Sequence, residues 1–292
     1  VLRTLESTWP ADRALSLDEH SLFDYDPKLY RLIHVGTPGD AEFYRRACYG
    51  VDSVLELGCG WGRVTRAIEP VVSRIVGLDI NAGMIEAARR EVASDDAEFV
   101  VGDMRDFSLS SRFERIIIPY NSLYNLLDAD EMAACLRNVR EHLTREGRLL
   151  FDGYYVDAEL LGDMQQIEGV ERDFIGAFEQ GEAYIEVFEK STYDVPRRRF
   201  DATYVYRLHR DDGTSEQVEC HIPQRFLLPD ELGDVLGAAG LELESVTGDF
   251  GVEPLEAHHG QMVVAATRGA TRRGVRVARR PRFIERWRRP HP

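Results

Sequence analysis

Val54-Leu55-Glu56-Leu57-Gly58-Cys59-Gly60-Trp61-Gly62-Arg63 runs from an apolar stretch into a turn built on three glycines. Ser53 to Leu57 reads as a buried strand, and Arg63 to Glu69 as a helix stopped by Pro70. Small residues at 58, 60 and 62 let the backbone reverse sharply and let a ligand approach main chain at a helix N-terminus. A dinucleotide-binding turn, G-x-G-x-x-G, would carry its third glycine at position 63, which is Arg63 here. Glu56 stands beside the turn, where a carboxylate repels a pyrophosphate and suits a cationic amino-acid group.

The same strand–helix rhythm continues on both sides. Arg74–Asp79 is a second strand, Asn81 caps a helix over Ala82–Val92, and Ala97–Val101 is a third strand. Glu114–Ile118 and Gly147–Phe151 are further strands around a helix over Asp130–Leu143. Repeated βα units predict a parallel sheet with helices on both faces. Beyond Tyr155, Tyr184–Tyr193, Phe200–His209 and Glu216–Ile222 alternate apolar and polar residues, which predicts an inserted antiparallel lobe. A helix from Pro229 to Ala239 with Gly240 as its cap, and strands at Leu241–Val246 and Gln261–Thr267, complete the core. The expected organisation is an N-terminal helical cap (1–50), a ligand-binding core (51–155), a β lid (156–228), the end of the core sheet (229–267) and a basic tail (268–292).

Charge narrows the function. The 292 residues carry a net −15, yet from Arg268 onward ten arginines and one acid give a local +9, leaving −24 on residues 1–267. So acidic a body repels phosphate backbones, which argues against nucleic acid as the main substrate and in favour of a small or cationic one. The tail reads as a solvated extension, with RNA contact as the alternative. Cys48, Cys59, Cys135 and Cys220 form no C-x-x-C pair, and His258-His259 reads as a loop pair without further ligands, so neither a disulfide framework nor a metal is expected. The apolar runs are strand-sized and the start lacks a secretory pattern, which predicts a cytoplasmic protein.

Two more acids complete the pattern. Asp79 ends the second strand, where a carboxylate can accept both hydroxyls of a ribose. Gly102-Asp103-Met104 ends the third, offering a carboxylate, a backbone amide and an apolar side chain to an adenine ring. With these in place, the sequence resembles the class I S-adenosylmethionine-dependent methyltransferases. Val54–Arg63 looks like their first motif, Ile75–Ile80 the second, Val101–Phe107 the third, and Pro119–Leu126 the segment after strand four of the small-molecule branch.

The resemblance implies a Rossmann-like, doubly wound α/β fold with a seven-stranded sheet whose last strand is antiparallel, and an inserted antiparallel β lid. It implies that Glu56 with Gly58, Gly60 and Gly62 holds the methionine group of S-adenosylmethionine. Asp79 would take the ribose, Ile80 and Met104 the adenine faces, Asp103 its exocyclic amine, and Tyr120 and Asn121 the floor near the sulfonium; S-adenosylhomocysteine would be the product.

The opening Leu29–Gly36 and the lid are similar to bacterial amino-sugar N,N-dimethyltransferases and, more loosely, to glycine N-methyltransferase. By that analogy Tyr30 and His34, Tyr124 and Asn125, Tyr154 and Tyr155, and His221 and Arg225 face a small-molecule acceptor. Tyr30, His34, Asn125 and His221 are the candidate catalytic residues. Some sugar N-methyltransferases carry a histidine where this chain has Asn125, so a base borrowed from that position is absent. A neutral amine needs no strong base, whereas a hydroxyl or carbon acceptor usually does, with His34 or His221 as a base working near neutrality. N-methylation of an amine is therefore favoured over O- or C-methylation and over a non-catalytic cofactor-binding role. A homodimer is possible.

Overall fold

The computed structural model describes residues 17–167, 171–181 and 183–269. The polar start of the chain and the Arg-rich stretch from 270 onward lie outside the described residues.

Seven strands form the central sheet: β2 (Ser53–Leu57), β3 (Arg74–Asp79), β4 (Ala97–Val101), β5 (Phe113–Ile118), β6 (Leu143–Tyr154), β11 (Leu241–Gly248) and β12 (Gln261–Arg268), in the order β11-β12-β6-β5-β2-β3-β4. β2 pairs in parallel with both β3 and β5, whereas β12 runs antiparallel to β6 and β11. The predicted doubly wound sheet with an antiparallel last strand is what forms. The order places the tips of β2 and β3, with their glycine turn and Asp79, beside the tip of β5, at the point where the chain switches direction across the sheet.

Helices cover both faces. α5 (Ala129–His142) and α7 (Leu232–Ala238) bury Leu136, Val139 and Leu236 with Leu55, Ile116 and Leu149 in the largest core. On the other face α2 (Asp40–Ala47) and α3 (Arg63–Ile68) pack Tyr44, Val64 and Ile68 against Val54, Ile75 and Ile117. α4 (Ala82–Glu91) adds Ile85 and Ala88 against Phe99. Burial on both faces is why the strands read as continuous apolar runs instead of alternating ones.

The lid is a second sheet of five strands, β1 (Leu17–Ser21), β10 (Ser215–Arg225), β9 (Arg199–Arg210), β8 (Ala183–Asp194) and β7 (Glu171–Gln180) in spatial order, with α6 (Ala158–Met164) leading into it. β8, β9 and β10 are antiparallel as expected, and β7, which the sequence did not announce, runs antiparallel to β8. β1 comes from the N-terminal segment, read above as helical, and pairs in parallel with β10. The described part of that segment therefore holds one strand as well as α1 (Pro27–Ile33) and α2. Tyr25 and Leu29 are buried with Ile185, Val187 and Tyr206 of the lid, so the N-terminal segment and the lid share one core.

Candidate functional site

The glycine turn is shaped by clearance. Gly58, Gly60 and Gly62 all have positive φ (70°, 54° and 83°), where a side chain is strained. A Cβ on Gly58 would lie 2.8 Å from Ser122, whereas one on Gly60 would enter open space. Gly62 has another role: a Cβ there would press within 3.2 Å of Val92, so this glycine lets α3 start tight against α4. The amides of Gly58 and Cys59 donate to the Leu78 carbonyl and that of Gly60 to Asp79 Oδ2 at 2.8 Å. These amides are already satisfied, so what the turn offers a ligand there is bare Cα surface.

The turn opens into a cavity of about 340 Å3, lined among others by Gly58, Gly60, Asp79, Ile80, Asp103 and Met104 from the core. Tyr25 and Tyr30 from the N-terminal segment, Asn125, and His221 and Pro223 of β10 close it from above. A recess of about 40 Å3 adjoins it and shares Tyr30, Gly58, Gly60 and Ser122, with Glu56, His34, Trp61, Arg63 and Tyr120 as further walls. The larger space falls in the usual size range of small-ligand sites.

Electrostatics follow from burial. Asp79 Oδ1 accepts from Asn81 N at 2.9 Å, and burial raises its carboxyl above the usual range against the pull of these amides. Each oxygen keeps a further lone pair for an incoming hydroxyl. Glu56 is 2% exposed, accepts the Thr65 hydroxyl at 2.5 Å and is pushed up to about 8 by burial. The nearby cation, Arg63, is paired with both oxygens of buried Asp40 at 2.8 and 2.6 Å. Asp103 is held low by Arg105, which grips its carboxylate and also pairs with Glu131. Arg105 thus orients the Asp103 carboxylate, and it is a partner that the motif reading did not include.

The remaining candidates divide. Tyr30, Asn125 and His221 line the cavity; Asn125 accepts from Gln224 of β10 at 3.1 Å, a direct tie between core and lid. His221 Nδ1 is hydrogen-bonded with Thr203 Oγ1 at 2.9 Å. His34 lines the small recess, stacked on Tyr30 at 4.1 Å, and burial lowers it to about 3. The expectation of a base working near neutrality is therefore corrected for His34: burial with no nearby anion disfavours its protonated form. Tyr120 walls the recess, but Asn121 turns its Oδ1 to the Tyr154 amide at 2.7 Å, so this side chain braces β6. Tyr124, Tyr154, Tyr155 and Arg225 are not among the cavity-lining residues; Tyr124 is buried below Tyr154.

A family model described as a methyltransferase domain covers residues 54–147. Residues 54–147 thus form a methyltransferase domain. The chain is 30% identical over 136 residues to dTDP-3-amino-3,6-dideoxy-alpha-D-glucopyranose N,N-dimethyltransferase of Streptomyces fradiae, a match covering 44% of this chain and 52% of that enzyme. The match thus spans about half the length of that relative. Cypemycin N-terminal methyltransferase from a Streptomyces species is 24% identical over 216 residues, covering 74% of this chain and 83% of the relative. Among solved structures, the CcbJ methyltransferase of Streptomyces caelestis superposes with a TM-score of 0.70 at 23% identity, covering 87% of this chain and 100% of its own. No helix among the described residues is long and apolar enough to cross a membrane, and no group of three or more His, Cys, Asp or Glu there could hold a metal ion.

Proposed function

We propose that this methyltransferase moves the methyl group of S-adenosylmethionine to the nitrogen of a small polar amine. The observation that carries the reading is a single cavity running from Asp79 and the glycine turn to Asn125, His221 and Pro223 under the lid. A nucleoside and a second small molecule can share it.

The residues present fit the cofactor. Gly60 leaves open space where a side chain would stand, Asp79 keeps lone pairs for two ribose hydroxyls, and Ile80 and Met104 offer apolar contact to a base. Glu56, buried with its neighbouring arginine already paired, suits the ammonium of the methionine group. When bound, the cofactor supplies a methyl carbon activated by a sulfonium. The residues lining the cavity would hold the acceptor nitrogen in line with that carbon, and the proton released from the methylated nitrogen would pass to solvent as the cavity opens.

The chain's own contribution is alignment and exclusion of water. Tyr25, Tyr30 and the lid residues roof the cavity. An amine that arrives neutral needs no base, which agrees with a neutral, buried His34 and an amide at position 125. The relatives' names point the same way, one describing an amino-sugar N,N-dimethyltransferase and the other an N-terminal methyltransferase. We read the protein as cytoplasmic, with the basic tail outside the chemistry.

One observation favours a second reading. His221 faces the cavity with its Nδ1 bonded to Thr203, an arrangement that could orient a base toward a hydroxyl acceptor. The test is incubation with methyl-labelled S-adenosylmethionine and panels of small amines and alcohols. Label found on nitrogen and retained in His221→Ala supports the first reading; label found on oxygen and lost in that variant overturns it.

A further inference from the structure

Asp152, near the end of β6, is fully buried and lines neither the main cavity nor the recess. Its Oδ1 accepts from the Tyr120 amide at 2.9 Å and from the Tyr44 hydroxyl of α2 at 2.5 Å. The Asn121 amide faces the carboxylate too, while Oδ2 has no hydrogen bond of normal geometry. Its donors are neutral and its acidic neighbour Asp40 holds Arg63, so a buried carboxylate is kept where packing alone would not require one.

Two of those donors, the Tyr120 and Asn121 amides, belong to a strained corner. Tyr120 and Asn121 are consecutive non-glycine residues with φ of 54° and 59°. L-residues persist in that region only when their surroundings hold them there. The corner carries the Tyr120 ring into the recess beside Glu56, Gly58 and Gly60, with the Arg63 guanidinium 5.5 Å from the ring centre.

We propose that Asp152 is a positioning residue of the methyl-transfer site, holding the left-handed corner at Tyr120 and Asn121 so that the Tyr120 ring walls the recess against the glycine turn. The inference rests on the methyl-transfer reading for its kinetic consequence alone. A shift of about 1 Å in such a wall is enough to spoil an in-line transfer.

The test combines crystallography, cofactor binding and kinetics. In Asp152→Ala the corner leaves the positive-φ region while residues 58–62 stay in place. kcat falls by at least about tenfold, and the calorimetric Kd for S-adenosylmethionine and the acceptor KM move by less than about threefold. Asp152→Asn keeps an acceptor for the Tyr120 amide, and its kcat stays within about threefold of the parent. Asn121→Gly supplies a residue that takes positive φ without help, so Asp152→Ala should cost less than about threefold in that background. An unmoved corner in Asp152→Ala, or an equal loss with and without Asn121→Gly, would overturn the proposal. Should Asp152→Ala fail to fold, Asp152→Asn decides: a tenfold loss of kcat with the corner intact overturns the assignment, and retained kcat with the corner intact supports it. If the parent protein methylates neither an amine nor an alcohol, the methyl-transfer reading fails, and the crystal structures still decide whether Asp152 holds the corner.

Discussion

At the scale of single residues, Asp79 and Glu56 carry different burdens. Asp79 ties Gly60 and Asn81 together through its two oxygens, so Asp79→Ala removes the ribose acceptors and loosens the turn as well. Cofactor affinity should fall by about 2–4 kcal/mol, read by calorimetry, and unchanged binding would contradict the site. Glu56 makes a pH prediction. Its carboxyl ordinarily titrates near 4.5 and is pushed to about 8 here, so between those values the folded protein holds a proton that the unfolded chain has released. The contribution of Glu56 to stability is full below the lower value and is lost as pH rises through the upper one. Asp152, raised to about 6, adds a similar loss at lower pH, so the Glu56 effect is isolated above about pH 6.5. Glu56→Gln, neutral throughout, should melt at a temperature that changes less between pH 6.5 and 9 than the parent's. A bound ammonium would favour the charged form, so cofactor binding at pH 7 should release a proton in the parent and none in Glu56→Gln. Calorimetry in buffers of differing ionisation heat measures this, and equal proton release in both would rule Glu56 out.

At the scale of elements, what was legible in the sequence was what is local. β2, β3 and β4 span the residues expected from their apolar runs, and Asn81 caps α4 through Gly83 and Met84 amides at 2.9 and 3.2 Å. β1 was not legible, because Leu17–Ser21 is short and polar and gains its partner only when β10, about 200 residues later, lies alongside. β7 escaped because a bulge between Phe174 and Gly176 breaks its alternation. In the site, the glycines and strand-tip acids announced themselves by spacing. Arg63 with Asp40, Arg105 with Glu131 and Asp152 with Tyr120 did not, since each pair is brought together by the sheet from 23 to 32 residues apart. Asn81 shows both sides: its Nδ2 also donates to the carbonyls of Leu22 and Tyr25, at 3.2 and 3.0 Å, tying the N-terminal segment to the start of α4. Asn81→Ser should keep a capping oxygen and lose that tie. Asn81→Ala should lose both, about 2–3 kcal/mol by urea denaturation, with Asn81→Ser clearly milder. Equal destabilisation by the two variants would show that the cap contributes little.

At the scale of the whole molecule, the two sheets meet over the cavity and the charge is divided between an acidic body and a basic end. The core closes without that end: β12 stops at Arg268, whose Nη1 donates to the Leu143 carbonyl at 3.1 Å, and the Gly269 amide donates to the Gly240 carbonyl at 3.1 Å. A chain ending after Gly269 keeps both contacts and loses nine arginines and Glu285, moving the net charge from −15 to −23. Its stability should match that of the full chain within about 0.5 kcal/mol. Its kcat toward an amine should be unchanged, because no residue lining the described cavity lies beyond position 223. The stronger negative field should draw a cationic acceptor faster, so kcat/KM for a neutral amine that carries a fixed positive charge elsewhere should rise at low ionic strength. That advantage should vanish near 0.15 M salt, where the screening length is about 8 Å. Steady-state kinetics at two ionic strengths check this, and a loss of turnover on truncation would give the arginines a part in capturing the acceptor, with RNA as the acceptor to test next.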